Sequence, residues 1–184
     1  RRDISSKRMA TESRVFLEEQ AVPRELMNAY STLAKDCEQT AASLLSTMTK
    51  RDMQRVHGDC HTGNILWRDD TPHFVDLDDC VSGPAIQDIW MFLSGDRFQQ
   101  ERQLSEFVSG YEEFHEFDSR QLAWIEALRT LRIMHHAFWL ASRWDDPAFP
   151  RAFPWFGQAR FWSDHILELR EQLGLMQEPT LRLL

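Results

Sequence analysis

Residues 57–64 read HGDCHTGN: two histidines, an aspartate, a cysteine and an asparagine in eight positions, broken by Gly58 and Gly63. Three readings compete for such a set. His57 and His61 are four apart, the spacing of zinc-ligating histidines on a helix. The two glycines oppose a continuous helix there, no general-base Glu stands beside the first histidine, and a structural zinc site would want a second ligand pair nearby. A polar turn without chemistry is the plain alternative, because Asp, Asn and Gly favour turns through local hydrogen bonds. The third reading is phosphoryl transfer, and it draws in residues beyond the stretch. Asp59 and Asn64 are five apart, and Asp76 follows after what reads as a strand pair. Phosphoryl transfer asks for one carboxylate to accept the acceptor hydroxyl's proton, and for oxygen ligands that hold Mg²⁺ on the nucleotide phosphates.

The elements around these residues are legible in outline. Ile65-Leu66-Trp67 and His73–Leu77 are short apolar runs around an Arg68–Pro72 turn, a small β-hairpin entered by HGDCHTGN and left by DLDD. Upstream, Leu26, Tyr30, Leu33, Cys37, Ala41, Leu44 and Met48 recur at helical spacing and predict one long amphipathic helix over 23–50, with Pro23 in its first turn. Residues 1–20 are polar, with a short helix expected around Ser13–Glu19. Gly83-Pro84 breaks the chain before a helix starting near Ala85, and further helices are expected at 98–115, 119–143 and 158–173. Asp118 followed by Gln121 resembles a capping box. The stretch DPAFPRAFPWFG at 146–157 is too rich in proline and aromatics to predict a helix.

Composition removes several classes. A net charge of −8, with no basic cluster longer than a pair, argues against nucleic-acid binding. No apolar run approaches the roughly 20 residues of a membrane span, and no signal peptide is visible. Cys37, Cys60 and Cys80 are odd in number and widely spaced, which fits free thiols in a reducing compartment. The expected location is the cytoplasm, without nucleic-acid or membrane partners.

The motifs then become specific. His57-x-Asp59 with Asn64 five residues on resembles the H-R-D-x-x-x-x-N loop of protein kinases, with Gly58 in the place of Arg. HGDCHTGN followed by FVDLDD resembles the aminoglycoside/choline-kinase branch of the protein-kinase-like superfamily, and Asp88 in GPAIQDIW matches the carboxylate that braces the catalytic loop there. Within that branch, ILWRDD, FVDLDDCVSGPAIQDIWMFLSGD, YEEFHEFD and RWDDPAFPRAFPW are similar to the bacterial stress response kinase A family of Ser/Thr protein kinases. The likeness is dense over 56–97, patchy to about 156 and weak outside.

The resemblance implies a role for each residue. Asp59 is the catalytic base or hydroxyl-orienting group, and Asp76, also counted as catalytic, is the main Mg²⁺ ligand with Asn64 as the second. His57 holds the loop by hydrogen bonds. His61 either approaches the transferring phosphate or locks the turn, Asp78 and Asp79 hold metal-bound water or are solvated turn carboxylates, and Asp88 supports the loop. Cys60 has acidic neighbours that raise rather than lower a thiol pKa, so it is not expected to be a nucleophile. His135 and His136 are expected in a core or groove. Leu77-Asp78 in place of the Phe-Gly of D-F-G, and the short stretch between Asp76 and Gly83, speak against a mobile switch and against activation-loop phosphorylation.

The implied fold is mainly α with a small β-hairpin, the C-terminal lobe of a protein-kinase-like fold. Residues 1–184 form one such lobe: a long helix at 23–50, a catalytic loop and metal-binding hairpin at 56–80, and a helical subdomain at 85–184. No G-x-G-x-x-G and no strand lysine of the V-A-I-K kind occur in the sequence. With Arg1 rather than Met at its start, the chain is expected to be a lobe of a longer polypeptide, lacking the ATP-covering lobe and inactive alone. The implied partners are ATP with Mg²⁺ and a protein Ser/Thr hydroxyl, in an intact monomer serving a bacterial stress response. Two alternatives stay open: a kinase for an amino alcohol or aminoglycoside, and a non-catalytic binding lobe. Apolar surface is expected beside the hairpin and Trp67.

Overall fold

The computed structural model describes residues 3–184, which divide into two compact units. One comprises Ser5–Ser46 and Glu126–Glu178; the other comprises Thr47–Ile125 and Pro179–Leu184, joined by Asp3 and Ile4.

The first of these units is helical. It contains α1 (Glu12–Gln20), preceded by one π turn at Lys7–Thr11, α2 (Met27–Leu44), nearly all of α5 (Ile125–Ala141), the short α6 (Ala148–Ala152) and α7 (Ala159–Leu175). Helix α2 packs on α7. Small residues make the approach close: Ala34, Cys37 and Ala41 recur at three and four along α2 and are fully buried. The Cys37 thiol donates to the Leu169 carbonyl at 3.4 Å, and burial pushes its pKa up to about 12.

The long helix expected over 23–50 is shorter at both ends. Pro23 sits in a turn closed by the Leu26 N–H, and the helix tightens into a 3₁₀ turn at Leu45–Thr47. The chain is then stopped by a capping box in which Thr49 and Asp52 exchange hydrogen bonds. Residues 148–152 are helical against expectation. Pro147 is the N-cap and Pro150 falls in the first turn, where a missing N–H leaves no bond unmade.

The second unit holds four short strands and two helices. β1 (Gln54–Val56) pairs antiparallel with β4 (Val81–Gly83), and β2 (Ile65–Arg68) with β3 (Thr71–Phe74). The hairpin turn is only Asp69-Asp70, with φ of 51° and 57°, as a two-residue turn matching strand twist requires. Asp tolerates that left-handed conformation better than most residues. Leu66, Trp67 and Phe74 of the hairpin are exposed, Trp67 by 70%.

Helices α3 (Ile86–Ile89) and α4 (Arg97–Glu112) follow, α3 passing into a 3₁₀ turn at Trp90–Phe92. Ile4, Val56, Ala85, Ile86, Trp90, Leu104 and Trp124 are buried here. The capping box expected at Asp118 and Gln121 does not form. Asp118 caps a 3₁₀ stretch at Ser119–Trp124 by accepting the Arg120 N–H, whereas the Gln121 side chain accepts the Ile86 N–H at 3.1 Å. A true capping box, missed in the sequence, starts α4 at Asp96 and Gln99.

Candidate active site

All the residues singled out between 57 and 88 belong to the second unit. The loop 57–64 leaves β1 with a left-handed glycine. Gly58 has φ +86°, and a Cβ there would stand 2.5 Å from the Asp79 carbonyl oxygen and 3.3 Å from Val81 Cγ2. Only glycine admits both that conformation and that approach.

Asp88, from α3, holds the same turn from the other side. Its carboxylate accepts the His57 N–H at 2.7 Å and the Gly58 N–H at 2.9 Å. Its pKa is raised, chiefly by burial, against the lowering effect of those two N–H groups; Asp59 adds a smaller push upward. Gln87 beside it donates to the Gly58 carbonyl at 3.2 Å, and Trp90 Nε1–H donates to Gln87 Oε1 at 3.4 Å. Sequence reasoning missed Gln87. Its one signal was a polar residue inside the apolar AIQDIW stretch.

The loop closes on itself. The Asp59 carbonyl accepts from the His61 N–H at 3.0 Å and from the Asn64 side-chain amide at 2.9 Å. With its NH₂ so used, the Asn64 side chain presents its carbonyl oxygen as the remaining acceptor. His61 Nδ1 accepts the Gly63 N–H at 3.0 Å, which puts the proton of the neutral ring on Nε2, 3.7 Å from Asp59 Oδ2. A side chain at Gly63 would overlap that ring, with Cβ 2.7 Å from Cε1.

The peptide groups of Val75 join the loop to Asp76. The Val75 N–H donates to the Asn64 carbonyl at 3.0 Å, continuing the β2–β3 ladder by one residue. The Val75 carbonyl accepts from His57 Nε2 at 2.8 Å, and His57 Nδ1 in turn accepts the Asp59 N–H at 3.4 Å. One buried imidazole thus spans the loop and Val75, the residue before Asp76. Asp76 follows with φ 61°, an exposed side chain and the N-cap position of a 3₁₀ turn at Leu77–Asp79. Left-handed backbone in a residue other than glycine is the kind of strain that persists where surroundings over-determine it. Asp78 and Asp79 lie exposed on that turn.

Among the described residues, no group of three or more His, Cys, Asp or Glu side chains is arranged to hold a metal ion. His57 and His61 each spend a ring nitrogen on backbone groups. The three cysteines are free thiols; burial, more than Asp88 and Asp59, pushes Cys60 up to about 11. A nucleophilic thiolate is disfavoured on the larger ground of burial, not only on its acidic neighbours. Among the described residues no helix is long and apolar enough to cross a membrane.

The Phosphotransferase enzyme family matches residues 5–128. Stress response kinase A of Escherichia coli O157:H7 is 51% identical over 129 residues, 70% of this chain and 39% of that protein. The "Serine/threonine protein kinase RdoA" of Salmonella typhimurium LT2 is 50% identical over the same length and shares. The chain therefore spans about two fifths of the length of these curated relatives. A solved structure, "Amicoumacin kinase hAmiN in complex with AMP-PNP, Ca2+ and Ami", superposes with a TM-score of 0.61 at 22% identity, over 93% of this chain and 50% of that one. Mainly helical with two small antiparallel sheets among its described residues, and sharing the protein-kinase-like fold of that neighbour, the chain belongs to the phosphotransferase enzyme family.

Proposed function

We propose that the chain carries the catalytic-base and metal-binding half of an ATP- and Mg²⁺-dependent phosphotransferase that phosphorylates Ser/Thr hydroxyls of protein substrates in a bacterial stress response. The observation that carries this reading is the double tie at Val75, N–H to Asn64 and carbonyl to His57, which sets Asp76 beside the Asp59–Asn64 loop. The names of the relatives support the acceptor class and the stress role.

The donor set fits a hard divalent cation: a neutral amide oxygen on Asn64 and a carboxylate on Asp76, with no sulfur or imidazole assigned to it. Asn64 and Asp76 would hold the ion, which when bound offsets charge on the nucleotide phosphates. Asp59, at the turn of the loop with its carboxylate 3.7 Å from His61 Nε2, accepts the proton of the attacking hydroxyl. His57 and Asp88 keep the loop backbone in place and touch no reactant. Because nothing in the 184 residues supplies a glycine-rich cover or a strand lysine for the phosphates, these residues by themselves bind Mg-ATP feebly and do not turn over.

A second reading, a small-molecule kinase, is favoured by the fold neighbour, an amicoumacin kinase in complex with AMP-PNP, Ca2+ and Ami. The intact protein assayed with radiolabelled ATP, a generic protein substrate and a panel of hydroxyl metabolites separates the two. Asp59→Asn should lower turnover by about 10²–10⁴-fold with nucleotide affinity nearly unchanged. Near-normal transfer by that variant would remove Asp59 from the mechanism, and transfer only to metabolites would replace the protein-kinase reading.

A further inference from the structure

Residues 179–184 lie alongside α4, and their contacts repeat. The Arg97 guanidinium donates to the carbonyls of Pro179 at 2.9 Å and Thr180 at 2.5 Å. Glu101 Oε1 accepts the Arg182 N–H at 3.1 Å, and Ser105 Oγ accepts the Leu184 N–H at 2.8 Å. Arg97, Glu101 and Ser105 are spaced by four, so they form one row on the helix with a rise of about 6.0 Å per step. Arg97 spans the consecutive carbonyls of 179 and 180, and from 180 the engaged groups fall at 182 and 184, spaced by two, or about 6.6 Å per step in an extended chain. The two ladders nearly match. Alternate residues of an extended chain present N–H and C=O along the same edge, as Glu101 and Ser105 need at 182 and 184, while the forked guanidinium of Arg97 reaches two consecutive carbonyls.

The row is also braced within α4 itself. Arg97 Nε lies 3.2 Å from Glu101 Oε1, and the Ser105 hydroxyl donates to the Glu101 carbonyl at 2.8 Å, leaving its oxygen to accept. Every polar contact to the segment goes to main chain. The one side chain of the segment that is buried is Leu181. Main-chain bonds supply affinity whatever the sequence, and a single buried side chain supplies selectivity; peptide recognition by an added strand divides its labour in the same way.

We propose that this face of α4 is a binding site for an extended peptide with one buried apolar residue between main-chain contacts. Residues 179–184 occupy it in cis, and a second peptide of the same pattern takes it when they lift off. The proposal is independent of the phosphotransfer chemistry.

The probe is a fluorescein-labelled peptide of residues 178–184, EPTLRLL, titrated by anisotropy into the intact protein. The cis segment competes at an effective concentration of order mM, so the wild type binds the probe weakly. Leu181→Ala in the protein loosens the cis segment and should raise probe affinity at least tenfold, and adding Arg97→Ala should reverse that gain. A probe N-methylated at the position of Arg182 should fail to bind. Hydrogen exchange supplies a reading that does not depend on the Leu181 variant. The Arg182 and Leu184 amides should be protected in the wild type and exchange at least tenfold faster in Arg97→Ala. Failure of the Leu181→Ala protein to bind the probe, equal binding of the N-methylated probe, or exchange at 182 and 184 indifferent to Arg97 would each overturn the proposal.

Discussion

Asp88→Asn isolates what the carboxylate from α3 does for the loop, because the side chain keeps its shape. The wild-type group accepts two backbone N–H bonds, from His57 at 2.7 Å and Gly58 at 2.9 Å. Hydrogen bonds to a charged acceptor are worth about 1.5–3 kcal/mol each. Asn retains one carbonyl oxygen and turns its NH₂ toward the other N–H, so one charged bond is lost and two donors face each other. The loop should open more easily by about 2–3 kcal/mol, which is roughly 30- to 150-fold in the exchange rate of the Gly58 amide. Native-state hydrogen exchange reads this directly, with the amides of α7 as the unaffected reference. A pH series adds a second signature. Burial raises the Asp88 pKa, so the folded state holds that proton more tightly than the unfolded chain does. Its contribution to stability is fully present below the unfolded value near ~3.9 and is lost as pH rises through the higher folded value. The Asn variant should lack that falling limb. Exchange at Gly58 changed by less than about threefold, or an unaltered pH slope, would refute the assignment of Asp88 as the brace of the loop.

Three further outcomes follow from the same contacts. Gly58→Ala should cost at least about 2 kcal/mol, from the left-handed backbone (about 1–2 kcal/mol) and the overlap with the Asp79 carbonyl, and urea unfolding at an unchanged midpoint would contradict it. Asp76→Asn in the intact protein should move the Mg²⁺ requirement to higher concentration or abolish transfer, and an identical Mg²⁺ titration would point to Asp78 as the ligand instead. Asp52 accepts from the Thr49 N–H at 2.7 Å and the Thr49 hydroxyl at 2.8 Å, contacts that lower its pKa. Its contribution is present above the unfolded value and is lost as pH falls through the lower folded one, so Asp52→Asn should flatten the acid limb of stability below roughly pH 4.

The helices of this chain were legible where one face is apolar at a regular spacing, and their ends were not. Leu26 through Met48 keep a helical rhythm past Leu44, yet the backbone leaves the helix because Thr49 and Asp52 offer it a better set of hydrogen bonds. Pro150 argued against a helix at 148–152, but a proline costs nothing in a first turn, and only the observed position of Pro147 reveals which turn is first. Asp118 and Gln121 had the spacing of a cap, and the glutamine went to the Ile86 N–H because a buried donor 35 residues away had greater need of it.

The candidate site divides in the same way. Residue types and spacing singled out Asp59, Asn64 and Asp76, because the chemistry of phosphoryl transfer restricts which side chains can serve and a loop of fixed length restricts where they stand, whereas Asp88 came from the resemblance of GPAIQDIW to the kinase branch. What joins them was not in the spacing. The Val75 peptide bonds to Asn64 and His57, the left-handed Gly58 beside the Asp79 carbonyl, and Gln87 behind the loop involve main-chain groups, which every residue carries and no sequence pattern marks. The sequence by itself determined the inventory of reactive groups and the helical and hairpin segments that carry them. Which of those groups meet, and which backbone atoms hold them there, was decided by tertiary structure, because buried donors and acceptors must find partners and those partners lie far away in the chain.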